Sequence, residues 1–205
     1  MRALIIANGK ITDFEKIKKY IKKDDYVTCA DGGYDHAVKM SLTPDIVLGD
    51  MDSVNADYTS VRFEKFPVEK DWTDSELAVN YVIKNGFDEA VMLGCTGNRG
   101  DHTMSNIFLL KNFTENNISA SIIDDNNMIF MPNSGIKLHG KKGDIVSVIP
   151  IGADITGYTT KGMYYEVENI TLGFGKTVGN SNVMLSDECE LSWKTGIAIV
   201  VKTHE

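Results

Sequence analysis

Short apolar runs of strand length punctuate the first 125 or so residues: Leu4 to Ala7, Val27 to Ala30, Ile46 to Leu48, Ala90 to Leu93 and Ala120 to Ile123. They show little polar alternation, which suits strands buried on both faces of a mostly parallel sheet. Between them the period becomes helical. Phe14, Ile17, Tyr20 and Ile21 mark one apolar face with Lys opposite. Leu77, Ala78, Tyr81 and Val82 mark a second, with Gly86 as its stop. Met104, Ile107, Phe108 and Leu110 mark a third within Asp101 to Phe113. The alternation predicts a right-handed, doubly wound α/β layer.

Near Met131-Pro132-Asn133-Ser134-Gly135 the pattern changes, and no helical stripe follows. Short alternating segments run from Asp144 to Ile149, Ile155 to Tyr158, Tyr164 to Val167, Asn182 to Leu185 and Gly196 to Val201, separated by glycine or polar pairs. Many short strands with frequent turn signals predict a β-sandwich or barrel. The expected architecture is therefore α/β plus all-β. A doubly wound, mostly parallel sheet domain over residues 1–130 precedes a β-sandwich or barrel over 131–205, with the boundary falling within 126–135.

Composition narrows the function. Hydrophobic content of 42% and charged content of 24% are ordinary for a globular chain. The net charge of −8 argues against general binding to nucleic acid or anionic lipid. Three cysteines, Cys29, Cys95 and Cys189, share no CxxC spacing and read as reduced thiols of a cytoplasmic protein. The first apolar run is too short for a signal peptide, and no stretch approaches a membrane span.

A set of aspartates follows the short apolar runs. Asp31 lies in Ala30-Asp31-Gly32-Gly33, and Asp50 and Asp52 lie in Gly49-Asp50-Met51-Asp52-Ser53. Asp71 and Asp74 lie in Lys70-Asp71-Trp72-Thr73-Asp74-Ser75-Glu76, and Asp101 in Gly94-Cys95-Thr96-Gly97-Asn98-Arg99-Gly100-Asp101-His102. An open α/β sheet gathers its strand carboxyl ends into one crevice. Unit charges about 4 Å apart there repel by roughly 4 kcal/mol at an effective dielectric near 20. Such a cluster needs a cation, and an all-oxygen set beside phosphate suits Mg2+.

Each segment also has an ordinary structural use. Gly32 and Gly33 allow a close approach to phosphate or ribose, or simply form a strand-to-helix turn. Asp50 and Asp52 suit one metal ion, or a solvated turn. Thr73 and Glu76 form a capping box, which leaves Asp71 and Asp74 over. The glycine-rich loop ending at Asp101 offers backbone N–H groups at Thr96 and its neighbours, and a guanidinium at Arg99 for phosphate, without the ending of a Walker A loop. Asp101 itself could cap the helix, and His102 could be a base or a structural residue.

Taken together and in order, these segments resemble those of the thiamine pyrophosphokinase family: D-G-G, then G-D-x-D-S, K-D-x-T-D-x-E and G-x-x-G-G-R-x-D-H. Asn98 stands where the family's last motif has its second glycine. Gly162-Met163-Tyr164-Tyr165 looks like the family's G-L-K-Y/W segment, and Ser181-Asn182 like its S-N pair, although Val183-Met184 departs from what usually follows. The resemblance implies transfer of a pyrophosphoryl group from ATP to the hydroxyl of thiamine, with Mg2+, in a homodimer whose active sites lie at the interface. It implies that Asp50, Asp52, Asp71 and Asp74 hold Mg2+ or orient the thiamine hydroxyl. Asp31, Gly32, Gly33, Thr96, Arg99 and Asp101 would line the ATP site, with Tyr165, Ser181 and Asn182 at thiamine. Other readings are a pyrophosphokinase for another alcohol, such as a pterin precursor, and a non-catalytic sensor of nucleotide or thiamine.

Overall fold

The computed structural model describes residues 1–49, 62–65, 71–97 and 99–203. It divides into two compact units, Met1–Asp125 and Asn126–Glu205. The first alternates strands and helices. In chain order these are β1 (Arg2–Ile6), α1 (Phe14–Lys18), β2 (Tyr26–Ala30), α2 (Gly33–Lys39), β3 (Ile46–Gly49), β4 (Phe63–Lys65), α3 (Asp74–Lys84), β5 (Glu89–Leu93), α4 (Gly100–Glu115) and β6 (Ser119–Ile123). The strands pair in the order β4-β3-β2-β1-β5-β6, every pairing parallel. Leu4 lies opposite Val27 on one side and Val91 on the other, and Ala3 to Ile6 expose nothing. Burial on both faces explains why these strands read as unbroken apolar runs.

The helices follow their stripes in part. Thr73 caps α3, its Oγ1 accepting from the Glu76 backbone N–H at 3.2 Å, and Leu77, Ala78, Val79 and Val82 are buried. Gly86 ends this helix with φ +70°, a conformation that favours glycine. α1 stops at Lys18, and Tyr20 and Ile21 lie in the turn beyond it. In α4 the buried face differs from the one expected. Met104 and Phe108 are 59% and 42% exposed, while Asn106, Leu110 and Phe113 face the core. Asn106 decides the rotation, because its Nδ2 donates to the Cys95 carbonyl at 2.9 Å. A buried amide must keep such a bond.

In the second unit the elements are β7 (Asn127–Phe130), β8 (Gly135–His139), β9 (Ile145–Lys161), β10 (Ile170–Leu172), β11 (Asn182–Val183), β12 (Glu188–Ser192) and β13 (Thr195–Thr203). All its pairings are antiparallel. The segments expected as separate strands at Asp144 to Ile149 and Ile155 to Tyr158 belong to one strand, β9. Gly152 and Gly157, at φ +74° and +71°, bend it without ending it. Its first half pairs with β13 through Ile145 to Ile151, and its end pairs with β12 through Thr159 to Lys161. Tyr164 to Val167 is not a strand. Val146, Val148, Ile155, Tyr158, Leu191, Trp193, Ala198 and Val200 belong to the core that these strands enclose.

No helix among the described residues is long and apolar enough to cross a membrane. All three cysteines are unpaired and buried. Burial pushes the Cys95 thiol up to about 12 and raises those of Cys29 and Cys189, and only thiolates react readily. The native protein should therefore resist iodoacetamide at neutral pH and show three reactive thiols once unfolded, as mass spectrometry would read. Rapid labelling of the native protein would contradict this burial.

Candidate active site

In the first unit the strand order reverses beside β1, whose two neighbours are β2 and β5. Chain segments leave the sheet on opposite sides at such a point, and a crevice opens at the carboxyl ends. A cleft of about 650 Å³ lies there, walled by the loops after β1, β2 and β5 and by the first turns of α3 and α4. Two of these loops continue the strand pairing. Ala7 N–H donates to the Leu93 carbonyl at 2.9 Å, Gly9 N–H to Gly94 at 2.6 Å and Lys10 N–H to Thr96 at 2.9 Å. No side chain fits between them, since a Cβ on Gly9 would lie 2.3 Å from the Gly94 oxygen.

Asp31 stands at the end of β2 with φ +43°, buried, its N–H donating to the Leu48 carbonyl at 2.8 Å. It lines the cleft, and its buried Oδ1 has no hydrogen-bond partner among the described residues. A buried carboxylate oxygen without a donor is costly, and a bound cation would relieve it. Gly49, which opens the Gly49-to-Ser53 motif, packs against Asp31, its ideal Cβ only 3.0 Å from the Asp31 Cβ. Gly32 and Gly33 make close approaches within the fold itself. A Cβ on Gly33 would lie 2.0 Å from the Ile6 carbonyl oxygen, and one on Gly32 would lie 2.3 Å from Asn8 Nδ2. Their missing side chains seat α2 against the end of β1. From α2, the His36 Nε2–H donates to the Gly9 carbonyl at 2.7 Å and so ties the loop after β1 to this helix.

On the facing wall Trp72, Thr73, Asp74 and Ser75 line the cleft. Asp74 is half-buried in the first turn of α3, whereas Asp71 is exposed and does not line it. Asp50 and Asp52 lie outside the described residues. Among the described residues no three acidic, histidine or cysteine side chains group as a ready metal site. Mg2+ needs less, since it keeps several waters and takes one or two carboxylates beside phosphate. Asp31 and Asp74, both on the cleft, fit that demand.

The loop after β5 contributes Thr96 and Arg99 to the cleft. Thr96 Oγ1 donates to Asp124 Oδ2 at 3.3 Å. Arg99 donates from Nη2 to Asp101 Oδ2 at 2.6 Å and from Nε to Oδ1 at 3.3 Å. That bond, helped by the His102 backbone, holds the Asp101 carboxyl down to about 2, too low for a useful general base at neutral pH. Both partners are well exposed, so the pair is weak, and a phosphate can draw Arg99 away at little cost. Asp101 is not the helix cap: α4 begins at Gly100 behind Arg99, and Asp101 is the acid of its first turn. His102 also lines the cleft, and it is exposed.

In the second unit Tyr165 is 64% exposed and stands edge-on to Tyr164, ring centroids 4.9 Å apart. Asn182 is occupied with its backbone. Asn182 Oδ1 accepts from the N–H groups of Tyr165 and Val183, both at 2.9 Å, and its Nδ2 donates to the Tyr165 carbonyl at 2.8 Å. Ser181, at φ +58°, donates its N–H to Ser147 Oγ at 3.0 Å. The geometry therefore gives Asn182 a positioning role toward Tyr165.

The loop after β1, from Asn8 to Lys10, and the residues His36 and Trp72 line the cleft without having been read as site residues. Asn8-Gly9 is a turn signal beyond a strand, and this was the cue to the loop. His36 carried none, because its importance depends on where Gly9 arrives.

The comparisons agree with one another. The family description "Thiamin pyrophosphokinase, catalytic domain" matches residues 17–122, and "Thiamin pyrophosphokinase, vitamin B1 binding domain" matches residues 134–198. The chain is 27% identical to the thiamine pyrophosphokinase of Bacillus subtilis (strain 168), over 98% of each sequence. It is 25% identical to thiamin pyrophosphokinase 1 of Caenorhabditis elegans, over 88% of this chain and 80% of that one. The crystal structure of a thiamine pyrophosphokinase from Bacillus subtilis superimposes with a TM-score of 0.90 at 25% identity, covering all of both chains. Thiamin pyrophosphokinase from Candida albicans, at 17% identity, shares the fold with a TM-score of 0.80, over 99% of this chain and 90% of that one.

Proposed function

Because the chain belongs to the thiamin pyrophosphokinase family, we propose that it transfers a pyrophosphoryl group from ATP to the hydroxyl of thiamine, giving thiamine diphosphate and AMP. The observation that carries this reading is the match of both family domains, over residues 17–122 and 134–198. The buried Asp31 carboxylate oxygen in the cleft, without a hydrogen-bond partner among the described residues, also supports it. In this reading the first unit, Met1–Asp125, is a doubly wound domain for ATP and Mg2+. The second, Asn126–Glu205, is a β-sandwich that receives thiamine through the segments of Tyr165, Ser181 and Asn182. Active sites at the interface of a homodimer and a cytoplasmic location complete it; the unpaired thiols suit a reducing compartment.

Asp31 would hold Mg2+ together with Asp50 and Asp52 of the following motif, while Asp71 and Asp74 would hold the ion or orient the thiamine hydroxyl. Bound there beside the nucleotide, the ion neutralises phosphate charge. Lys10 and Arg99 are the lysine and arginine among the described residues of the cleft wall, and they would meet the phosphates from the loops after β1 and β5. The thiamine oxygen attacks the β-phosphorus, its bond to the α-phosphate oxygen breaks, and AMP leaves. Asp74, in the cleft, orients the hydroxyl and accepts its proton. Such transfer depends on positioning and charge neutralisation more than on covalent catalysis.

The test is AMP formation from ATP and Mg2+, with and without thiamine, with the product identified by mass. Thiamine-dependent AMP together with thiamine diphosphate is expected. AMP formed only with another alcohol would leave the metal chemistry and replace the acceptor. No turnover with any acceptor would return the sensor reading. Asp74→Asn should lower kcat at least about a hundredfold while the folded spectrum is retained, as removal of a positioned proton acceptor does.

A further inference from the structure

Trp72 is 51% exposed on the cleft wall, between the exposed Asp71 and the half-buried Asp74. The chain's other tryptophan, Trp193, is buried in the second unit, with its indole N–H donating to the Gly196 carbonyl at 3.3 Å. An indole left half in water at a ligand cleft is a surface kept for contact. Its backbone is held in place, because the next residue, Thr73, caps α3.

We propose that Trp72 selects the acceptor by stacking its indole on a cationic heteroaromatic ring, the thiazolium of thiamine. The inference rests on thiamine being the acceptor. Three points lead to it. The reacting hydroxyl sits at the end of a two-carbon arm on that ring, so a hydroxyl placed by Asp74 brings the ring close to the residue two positions earlier. Tryptophan has the strongest cation–π attraction of the aromatic side chains, effective within about 6 Å. The flanking carboxylates of Asp71 and Asp74 add attraction for a cation and none for a neutral purine base.

The experiment compares wild type, Trp72→Leu and Trp72→Phe by calorimetric titration with thiamine. The same proteins are titrated with a thiophene analogue, in which carbon replaces the ring nitrogen and the charge is gone. Tryptophan emission is followed alongside, and AMP formation is assayed separately. Trp72→Leu keeps apolar area but has no π face. It should weaken thiamine about tenfold, equivalent to about 1.4 kcal/mol, and weaken the uncharged analogue less than twofold. Trp72→Phe should fall between wild type and Trp72→Leu. Thiamine should quench wild-type emission and leave the Trp72→Leu spectrum unchanged, since Trp193 is remote from water. A raised KM for ATP with thiamine binding intact would assign Trp72 to the purine and overturn the inference, as would equal losses for thiamine and its uncharged analogue. Failure of the underlying reading looks different: the wild-type protein would then form no thiamine-dependent AMP at all.

Discussion

Replacing Asp31 with Asn should remove most turnover and yet raise the melting temperature. The carboxylate is buried at the end of β2, and its Oδ1 has no hydrogen-bond partner among the described residues. Leaving a polar group in that state costs about 1–3 kcal/mol. An amide of the same shape carries no charge, and asparagine accepts the left-handed φ of +43° found there. In metal-free buffer the expected rise is roughly 2–12 °C, from that cost at about 2–4 °C per kcal/mol for a chain of this size. The same change should lower kcat/KM about a hundredfold or more, because the acid that draws the cation and its nucleotide is lost. Mg2+ with a nucleotide should stabilise wild type, as a ligand of the native state does, and stabilise Asp31→Asn much less. Scanning calorimetry and an AMP assay on the two proteins decide the matter. Lost activity with a lowered melting temperature would make Asp31 a structural residue. Retained activity would remove it from the site.

Gly33→Ala should cost more stability than any change at the cleft surface. The added Cβ would lie 2.0 Å from the Ile6 carbonyl oxygen and 2.7 Å from its carbon. Both are backbone atoms of a central strand that is fully buried from Ala3 to Ile6, so neither can move aside. A loss of about 3 kcal/mol or more is expected, seen as a lower urea midpoint at unchanged slope. Gly32→Ala meets the Asn8 side chain instead, which can swing away, and should cost about 1 kcal/mol. The contrast separates packing from ligand contact. If Gly33 existed to let ATP approach, Gly33→Ala would keep its stability and raise the KM for ATP.

These two adjacent motif positions show how far the chain could be read in advance. The acid Asp31 and the glycines Gly32 and Gly33 are equally visible in the sequence, and all three were expected at a nucleotide site. Only Asp31 presents its side chain to the cleft; the glycines make room for Ile6 and Asn8. Similarly, Asp71 and Asp74 are three residues apart in one motif, yet Asp71 lies exposed ahead of α3 while Asp74, in its first turn, lines the cleft. Asn182 reads as a ligand contact in the sequence, and its hold on the backbone of Tyr165 becomes visible only in the fold. The apolar positions of α4 were counted correctly as helical, but the buried line runs through Asn106, whose bond to Cys95 no periodicity reports.

By itself, then, the sequence determined what depends on neighbours along the chain. It set the two-sided burial of the parallel strands, the helix start at Thr73, the stop at Gly86, and the acids that follow the strands. Tertiary structure alone decided which side chains meet across the cleft: the zipper of Gly9 with Gly94, the hold of His36 on Gly9, the seating of α2 on Ile6, and the single strand that runs through Gly152 and Gly157. Hydrophobic period and residue type act over a few positions. Steric fit and hydrogen bonding between segments many residues apart exist only once the sheet has brought them within a few ångströms.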